Sequence, residues 1–241
     1  MPNSLAGRTA LITGAAKRIG RSIALALAGR GVNILVHFRA SADEAYQLVH
    51  QLRNHHVQAW PIRADLADER EADALIRRSL DTAGSLDVLV NNAAVFEAST
   101  ISTISFDDLA RQLQINTWAP LVLSRRFAEE VGHGQIINLL DARLKWLDRE
   151  HIAYYLSKQA LATLTRMSAL EFAPGIRVNG VAPDLILPPP DRGEEYLDRL
   201  AAEVPLKRHG APENIAETVL FLLENEFVTG EIVSVDGGRY L

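Results

Sequence analysis

The chain has 241 residues, 48% of them apolar and 23% charged, which supports a substantial core and argues against disorder. A formal charge of −5 and the lack of any Lys/Arg block exclude general attraction to nucleic acid. Cysteine is absent, so disulfides, thiolate metal sites and a cysteine nucleophile are excluded, in keeping with a reducing cytoplasm.

Short β-rich runs alternate with longer helical patterns along the whole chain. Strands are predicted at residues 8–13, 33–37, 58–63, 87–91, 135–140, 177–181 and 232–235. Helices are predicted at 18–30, 42–55, 69–82, 106–131, 151–172 and 212–224. Strands such as Val88-Leu89-Val90 are apolar throughout rather than alternating, as expected when helices cover both faces of a parallel sheet. The expectation is therefore a single-domain α/β Rossmann fold, a doubly wound parallel sheet of about seven strands. The opening residues 1–7 are short and polar and do not read as an export signal, and no apolar run approaches the ~20 residues that span a bilayer. His55-His56 reads as an exposed helix end, and with no HExxH pair no metal is expected.

The first strand runs into Thr13-Gly14-Ala15-Ala16-Lys17-Arg18-Ile19-Gly20. Gly14 and Gly20 permit a tight turn, and the following helix offers unpaired N–H groups to a pyrophosphate. Two glycines alone are also ordinary turn residues, but their place between a strand and an amphipathic helix favours a dinucleotide. The second strand ends in His37-Phe38-Arg39-Ala40-Ser41, without the acidic residue of an NAD site. A guanidinium and a hydroxyl suit a 2′-phosphate, and Lys17 and Arg18 add positive charge, so NADPH is expected over NADH. The competing reading is a solvated basic loop with Ser41 as a helix cap. Asp65, ahead of Leu66, either bonds an adenine amino group or caps the next helix. In Asn91-Asn92-Ala93-Ala94, Asn91 reads as scaffold while Asn92, Ala93 and Ala94 read as facing the cofactor.

Tyr154 and Lys158 are four residues apart in a helical segment and share one face. A phenol titrates near 10, and a neighbouring ammonium lowers that value, making proton exchange accessible near neutrality. Tyr155, one step round the helix, reads as packing. The irregular stretch 183–195, with Pro188-Pro189-Pro190 and Asp191, follows the sixth strand's carboxyl end and reads as a substrate-covering loop.

Together, Thr13-Gly14…Gly20, Asn91-Asn92-Ala93-Ala94, Asn116, Tyr154…Lys158 and Asp236-Gly237-Gly238 resemble the short-chain dehydrogenase/reductase family across essentially the whole chain. The resemblance implies an oligomeric Rossmann enzyme in which Tyr154 exchanges the proton, Lys158 binds the nicotinamide ribose and tunes Tyr154, and Asn116 holds a water relay. It groups Ile19, Leu66 and Pro183 with the cofactor residues and Leu185 with the substrate residues. It also implies a four-helix dimer face built from the 106–131 and 151–172 helices, and a homotetramer in which Arg239 reaches a neighbouring pocket.

Two departures point to a subgroup. Arg18 stands where the family's middle glycine is usual, and Asp141 where its catalytic Ser is usual. Both resemble pteridine reductases, as do His37-Phe38-Arg39-Ala40-Ser41 and Phe96, four residues after Asn92, which matches an aromatic that stacks on pterin. His151-Ile152-Ala153-Tyr154, the 182–187 segment and the Gly237-Gly238-Arg239-Tyr240-Leu241 terminus resemble the bacterial dihydromonapterin reductase branch. An ionised Asp cannot donate to an oxyanion as Ser does, but a carboxyl beside Tyr154 can relay a proton to a ring nitrogen and bond a pterin's N–H groups. The competing structural roles are Asp141 as a cap, Phe96 as core and Arg18 in a surface ion pair. Three functions are thus in view: dihydropterin reduction with a small-molecule pterin-like substrate, carbonyl reduction within the family, and a non-catalytic nucleotide sensor.

Overall fold

The computed structural model describes residues 4–189 and 192–241, so Pro190 and Asp191 of the 183–195 stretch lie outside the described residues. Seven strands are present: β1 Thr9–Ile12, β2 Asn33–Phe38, β3 Ala59–Arg63, β4 Val88–Asn91, β5 Gly134–Leu139, β6 Ile176–Pro183 and β7 Ile232–Val235. All pair in parallel in the order β3-β2-β1-β4-β5-β6-β7.

The helices are α1 Arg18–Ala28, α2 Ala42–Arg53, α3 Glu69–Ala83, α4 Phe106–Leu113, α5 Ala119–Glu130, α6 Ile152–Glu171, α7 Glu194–Ala201 and α8 Pro212–Glu224. His55 and His56 lie exposed just past α2. The apolar strands serve two cores. Ile12, Ile34, Val36, Val88 and Val90 join one with α1, α2 and α8; Leu11, Leu35 and Leu89 join another with α3 and α5. Alternate side chains of a strand point to opposite faces, so an unbroken apolar run buries every residue when both faces are covered. Truncating a buried Leu such as Leu11 to Ala at such a site costs about 2–5 kcal/mol.

Three elements differ from the predicted pattern. The predicted 106–131 helix is interrupted by a π-helical turn at Gln114–Trp118. Pro120 has no N–H for the Asn116 carbonyl, which removes one link of an unbroken α-helix there. β6 runs to Pro183, two residues beyond the predicted end, because Ala182 and Pro183 pair with Ser234 and Val235. α7 was not predicted; it packs Leu197 and Ala201 on Leu185 and Val204 in a small satellite core. Among the described residues no helix is long and apolar enough to cross a membrane, and no group of three metal-ligating side chains gathers.

Candidate active site

Strand order reverses between β1 and β4, and ligands of doubly wound sheets bind at the carboxyl ends beside that point. A cleft of about 510 Å³ opens there. The side chain of Asn92 spans the divide, donating to the carbonyls of Thr13 at 2.8 Å and Gly14 at 3.1 Å. Thr13 Oγ1 accepts in return from the N–H groups of Asn92 and Ala93. Asn91 instead ties β4 to β5, donating to Asn138 at 2.8 Å, and Asn138 donates to Thr165 of α6 at 2.9 Å.

The glycine turn forms one wall. A side chain at Gly20 would meet the Gly14 carbonyl at 2.5 Å and Asn92 Nδ2 at 2.6 Å, so the close approach requires glycine. Arg18 holds the left-handed backbone, φ 54°, that a glycine adopts without strain. Its guanidinium donates to the Pro188 carbonyl at 3.0 Å, joining the turn to the 183–195 stretch. The first turn of α1 has no acidic residue and no side-chain cap, leaving it suited to an anion. Lys17 and Ile19 also line the cleft, with Lys17 paired to Glu44 at its rim.

His37 braces the turn from behind. Its Nδ1 accepts from Gly14 N–H at 3.0 Å, and Nε2 faces the Ala64 carbonyl at 3.1 Å. A carbonyl only accepts, so the proton sits on Nε2 and the ring is neutral. Burial holds its pKa down at about 4, against the opposing pull of the Ala64 carbonyl. Both ring nitrogens are therefore committed to the backbone.

Arg39 and Ser41 line the cleft at the end of β2. Ser41 occupies the N-cap position of α2 but makes no side-chain cap bond, and among the described residues Arg39 makes no ion pair. Asp65 and Leu66 line the same end. The capping alternative for Asp65 is corrected by the geometry: Asp68 caps α3, accepting from Arg70 and Glu71, whereas Asp65 accepts locally from Ala67 N–H.

The Tyr154–Lys158 face of α6 closes the other end, with Ala94 and Pro183 nearby in the lining. Tyr154 donates its hydroxyl to Asp141 Oδ2 at 3.0 Å. Lys158 is 3% exposed and donates to the Leu139 carbonyl at 2.6 Å. Burial lowers its pKa to about 8, only partly offset by Asp141. The expectation that Lys158 draws the phenol's pKa down is not met. Enclosure of the hydroxyl, reinforced by the Asp141 charge, raises it well above 10 against the opposing pull of Arg143. The Tyr154 hydroxyl thus keeps its proton at neutral pH.

Asp141 fills the capping role considered for it, closing the short 3₁₀ turn Ala142–Lys145, and also accepts from the Tyr154 hydroxyl. Its two oxygens receive Arg143 Nε at 3.1 Å and Nη2 at 3.0 Å. Arg143 Nη1 donates to Asp148 at 3.0 Å, and Asp148 faces His151 Nδ1 at 3.2 Å. Burial opposes the Arg143 charge, but Asp141 outweighs it and the net pKa is raised. Phe96 is half-exposed rather than core. His151 stacks on it at 4.1 Å, Tyr154 meets it edge-on at 4.7 Å, and the Arg143 guanidinium lies 5.0 Å from its centre. Arg143 and Asp148 were missed in the sequence; the available signal was a guanidinium two residues from a carboxylate standing in place of Ser.

Asn116 sits in the π turn and works through backbone. Its amide accepts from Val95 N–H and donates to the Val95 carbonyl, both at 2.9 Å, and donates to Ser157 at 3.0 Å. This joins the loop carrying Phe96 to the helix carrying Tyr154. Asp141, Phe96 and Asn116 lie against Tyr154 or its helix rather than in the cleft lining, and two further residues lie away from it. Leu185 is buried under α7, and Arg239 pairs with Asp184 of its own chain at 2.9 Å.

The family model described as enoyl-(acyl carrier protein) reductase matches residues 14–239. The chain belongs to the short-chain dehydrogenase/reductase family. This reductase is 33% identical to the 3-oxoacyl-[acyl-carrier-protein] reductase FabG of Staphylococcus aureus (strain Mu50), over 97% of this chain and 98% of that one. It is similar to the structure of FolM alternative dihydrofolate reductase 1 from Brucella canis complexed with NADP, at TM-score 0.90 and 30% identity, covering 99% of this chain and 96% of that one. The corresponding Brucella suis structure, also in complex with NADP, gives a TM-score of 0.91 at 30% identity, covering 98% and 96%. The enzyme is an oxidoreductase of that family.

Proposed function

We propose that this reductase uses NADPH to reduce the C=N bond of a dihydropterin, such as dihydromonapterin or dihydrobiopterin, to its tetrahydro form, with dihydrofolate as a side substrate. The observation that carries this reading is the contact of Asp141 with the Tyr154 hydroxyl. An ionised carboxylate accepts hydrogen bonds and cannot donate to a developing oxyanion, so it is poorly matched to a carbonyl. It is well matched to a substrate that presents N–H groups and takes a proton on nitrogen.

NADPH is supported by Arg39 and Ser41 at the end of β2 and by the uncapped α1 terminus. It is supported as well by the NADP in the two Brucella FolM structures. When bound, the cofactor supplies the hydride. Tyr154 would give its proton to the ring nitrogen and be reprotonated through Asp141, which first takes that proton up from solvent; Lys158 would hold the nicotinamide ribose, and Asn116 would fix Tyr154 relative to Phe96 while serving the water relay. Phe96 offers its ring to the flat heterocycle.

The second reading is reduction of a 3-oxoacyl thioester or small ketone, favoured by the 33% identity to FabG. Asp141 weighs against it for the reason just given. We also propose that the enzyme is a cytoplasmic homotetramer. The exposed Phe106 of α4, Trp118 of the π turn and Leu156, Met167 and Leu170 of α6 offer apolar surface to other copies.

Replacing Asp141 with Ser tests the reading. Dihydropterin turnover is expected to fall at least about 100-fold while NADPH binding survives. Unchanged turnover overturns the role given to Asp141.

A further inference from the structure

Asp141 has no room for a substrate as it stands. A carboxylate offers about four acceptor positions, and protein donors fill four. Oδ1 receives the backbone N–H of Arg143 at 2.9 Å and its Nε at 3.1 Å. Oδ2 receives Arg143 Nη2 and the Tyr154 hydroxyl, each at 3.0 Å. The backbone donor is fixed by the 3₁₀ turn that Asp141 caps, and the phenol is the proton donor. The displaceable pair is therefore Nε and Nη2 of the Arg143 side chain.

Those two groups have a definite chemistry. They are parallel N–H donors on a planar, conjugated CN₃ unit, and that unit lies 5.0 Å from the centre of the Phe96 ring. The 2-amino-pyrimidinone edge of a pterin is likewise a planar guanidine-type unit presenting an amino N–H and a ring N–H side by side. We infer that the Arg143 side chain is an intramolecular stand-in for this edge, holding Asp141 and Phe96 until a 2-amino-pyrimidinone substrate displaces it. The inference rests on the pterin reading given above and assigns it a specificity device.

Asp148 provides the place to which the arginine withdraws. Nη1 already donates to it at 3.0 Å, so Arg143 keeps one ion-pair partner when it releases Asp141. The exchange is selective, because a ligand without the paired N–H groups cannot satisfy the carboxylate that Arg143 would leave. An uncompensated buried carboxylate carries a large penalty. Arg143 thus acts as a competitor that only a guanidine-like edge replaces at low cost.

The test is equilibrium binding of 2-amino-4-oxopteridine and of its 2,4-dioxo analogue to the enzyme–NADP⁺ complex, for wild type, Arg143→Ala, Arg143→Met, Asp141→Asn and Arg143→Ala combined with Asp141→Asn. Both Arg143 variants are expected to bind the 2-amino compound about tenfold or more tighter than wild type, equivalent to ~1.4 kcal/mol. The 2,4-dioxo compound is expected to gain much less, and Arg143→Ala is expected to give no gain when Asp141 is already Asn. Retained NADP⁺ affinity in each variant certifies the fold. Weaker or unchanged binding of the 2-amino compound, or an equal gain for both ligands, overturns the inference; if wild type still reduces a dihydropterin, the functional reading stands without it. No binding of the 2-amino compound by any variant, with turnover confined to ketones, overturns both.

Discussion

The Tyr154 hydroxyl donates to Oδ2 of Asp141 across 3.0 Å, on the oxygen that also receives Arg143 Nη2. A phenol bonded to a carboxylate in an enclosed site keeps its proton through neutral pH. Tyr154→Phe is therefore expected to lower turnover by a factor of about 100 to 10,000, the usual worth of a positioned proton donor. NADP⁺ affinity is expected to change little, as measured by titration beside steady-state kinetics. Near-normal turnover would remove Tyr154 from the chemistry.

Lys158 is cationic at neutral pH but loses its charge near pH 8, because burial lowers its pKa. The charged form predominates below that value and fades above it. NADP⁺ affinity of wild type is expected to fall above about pH 8, following the value carried by the free enzyme. In Lys158→Arg, whose guanidinium stays protonated, the decline is expected to vanish to beyond about pH 10, even if overall affinity is lower. A parallel decline in both proteins would assign the titration elsewhere.

His37 links the cofactor turn to acid stability. Its folded pKa of about 4 lies below the ordinary 6.5, so the unfolded chain binds more protons between those values. Stability from this group is complete above about pH 6.5 and is lost as pH falls toward 4, by roughly 3 kcal/mol in total. His37→Gln can accept from Gly14 and donate to Ala64 without titrating. Its unfolding free energy, measured by urea denaturation across this window, is expected to fall less steeply than that of wild type. Identical slopes would show that the imidazole is not the titrating group.

Much of this arrangement was legible in the sequence. The Thr13–Gly20 turn, the Asn91–Ala94 strand end and the Tyr154/Lys158 spacing are local patterns whose backbone geometry follows from residue type, and the structure gathers them at one cleft. The seven strands were legible for the same reason, since apolar runs of strand length need cover on both faces. What was not legible depends on contacts distant from the motifs. The π turn needs the joint effect of Pro120 and the bonds from Asn116 and Thr117 to Ser157. The raised phenol pKa comes from burial and the Asp141 charge, while the Lys158 ammonium is turned to the Leu139 carbonyl. The only signal for Arg143 was its place two residues after Asp141, which says nothing of where its side chain turns.

Arg18 shows how a single substitution for glycine can couple two segments. Its left-handed backbone stores about 1–2 kcal/mol, while a glycine there loses about 0.5–1 kcal/mol more chain entropy on folding. Arg18→Gly is therefore expected to shift stability by no more than about 1.5 kcal/mol. It also removes the bond to the Pro188 carbonyl, so KM for the dihydropterin is expected to rise while kcat changes less. Thermal unfolding and steady-state kinetics measure the two effects separately. An unchanged KM would mean that the contact does not hold the substrate loop.

The central claim is that the Tyr154–Asp141 pair serves a pterin nitrogen rather than a ketone. The most direct measurement is kcat/KM for NADPH oxidation with dihydromonapterin, dihydrobiopterin, dihydrofolate and a 3-oxoacyl thioester, run side by side on the wild-type enzyme. The dihydropterins are expected to exceed the thioester by at least about 100-fold, or about 2.7 kcal/mol of transition-state preference. A thioester turned over as well as or better than every dihydropterin would contradict the account.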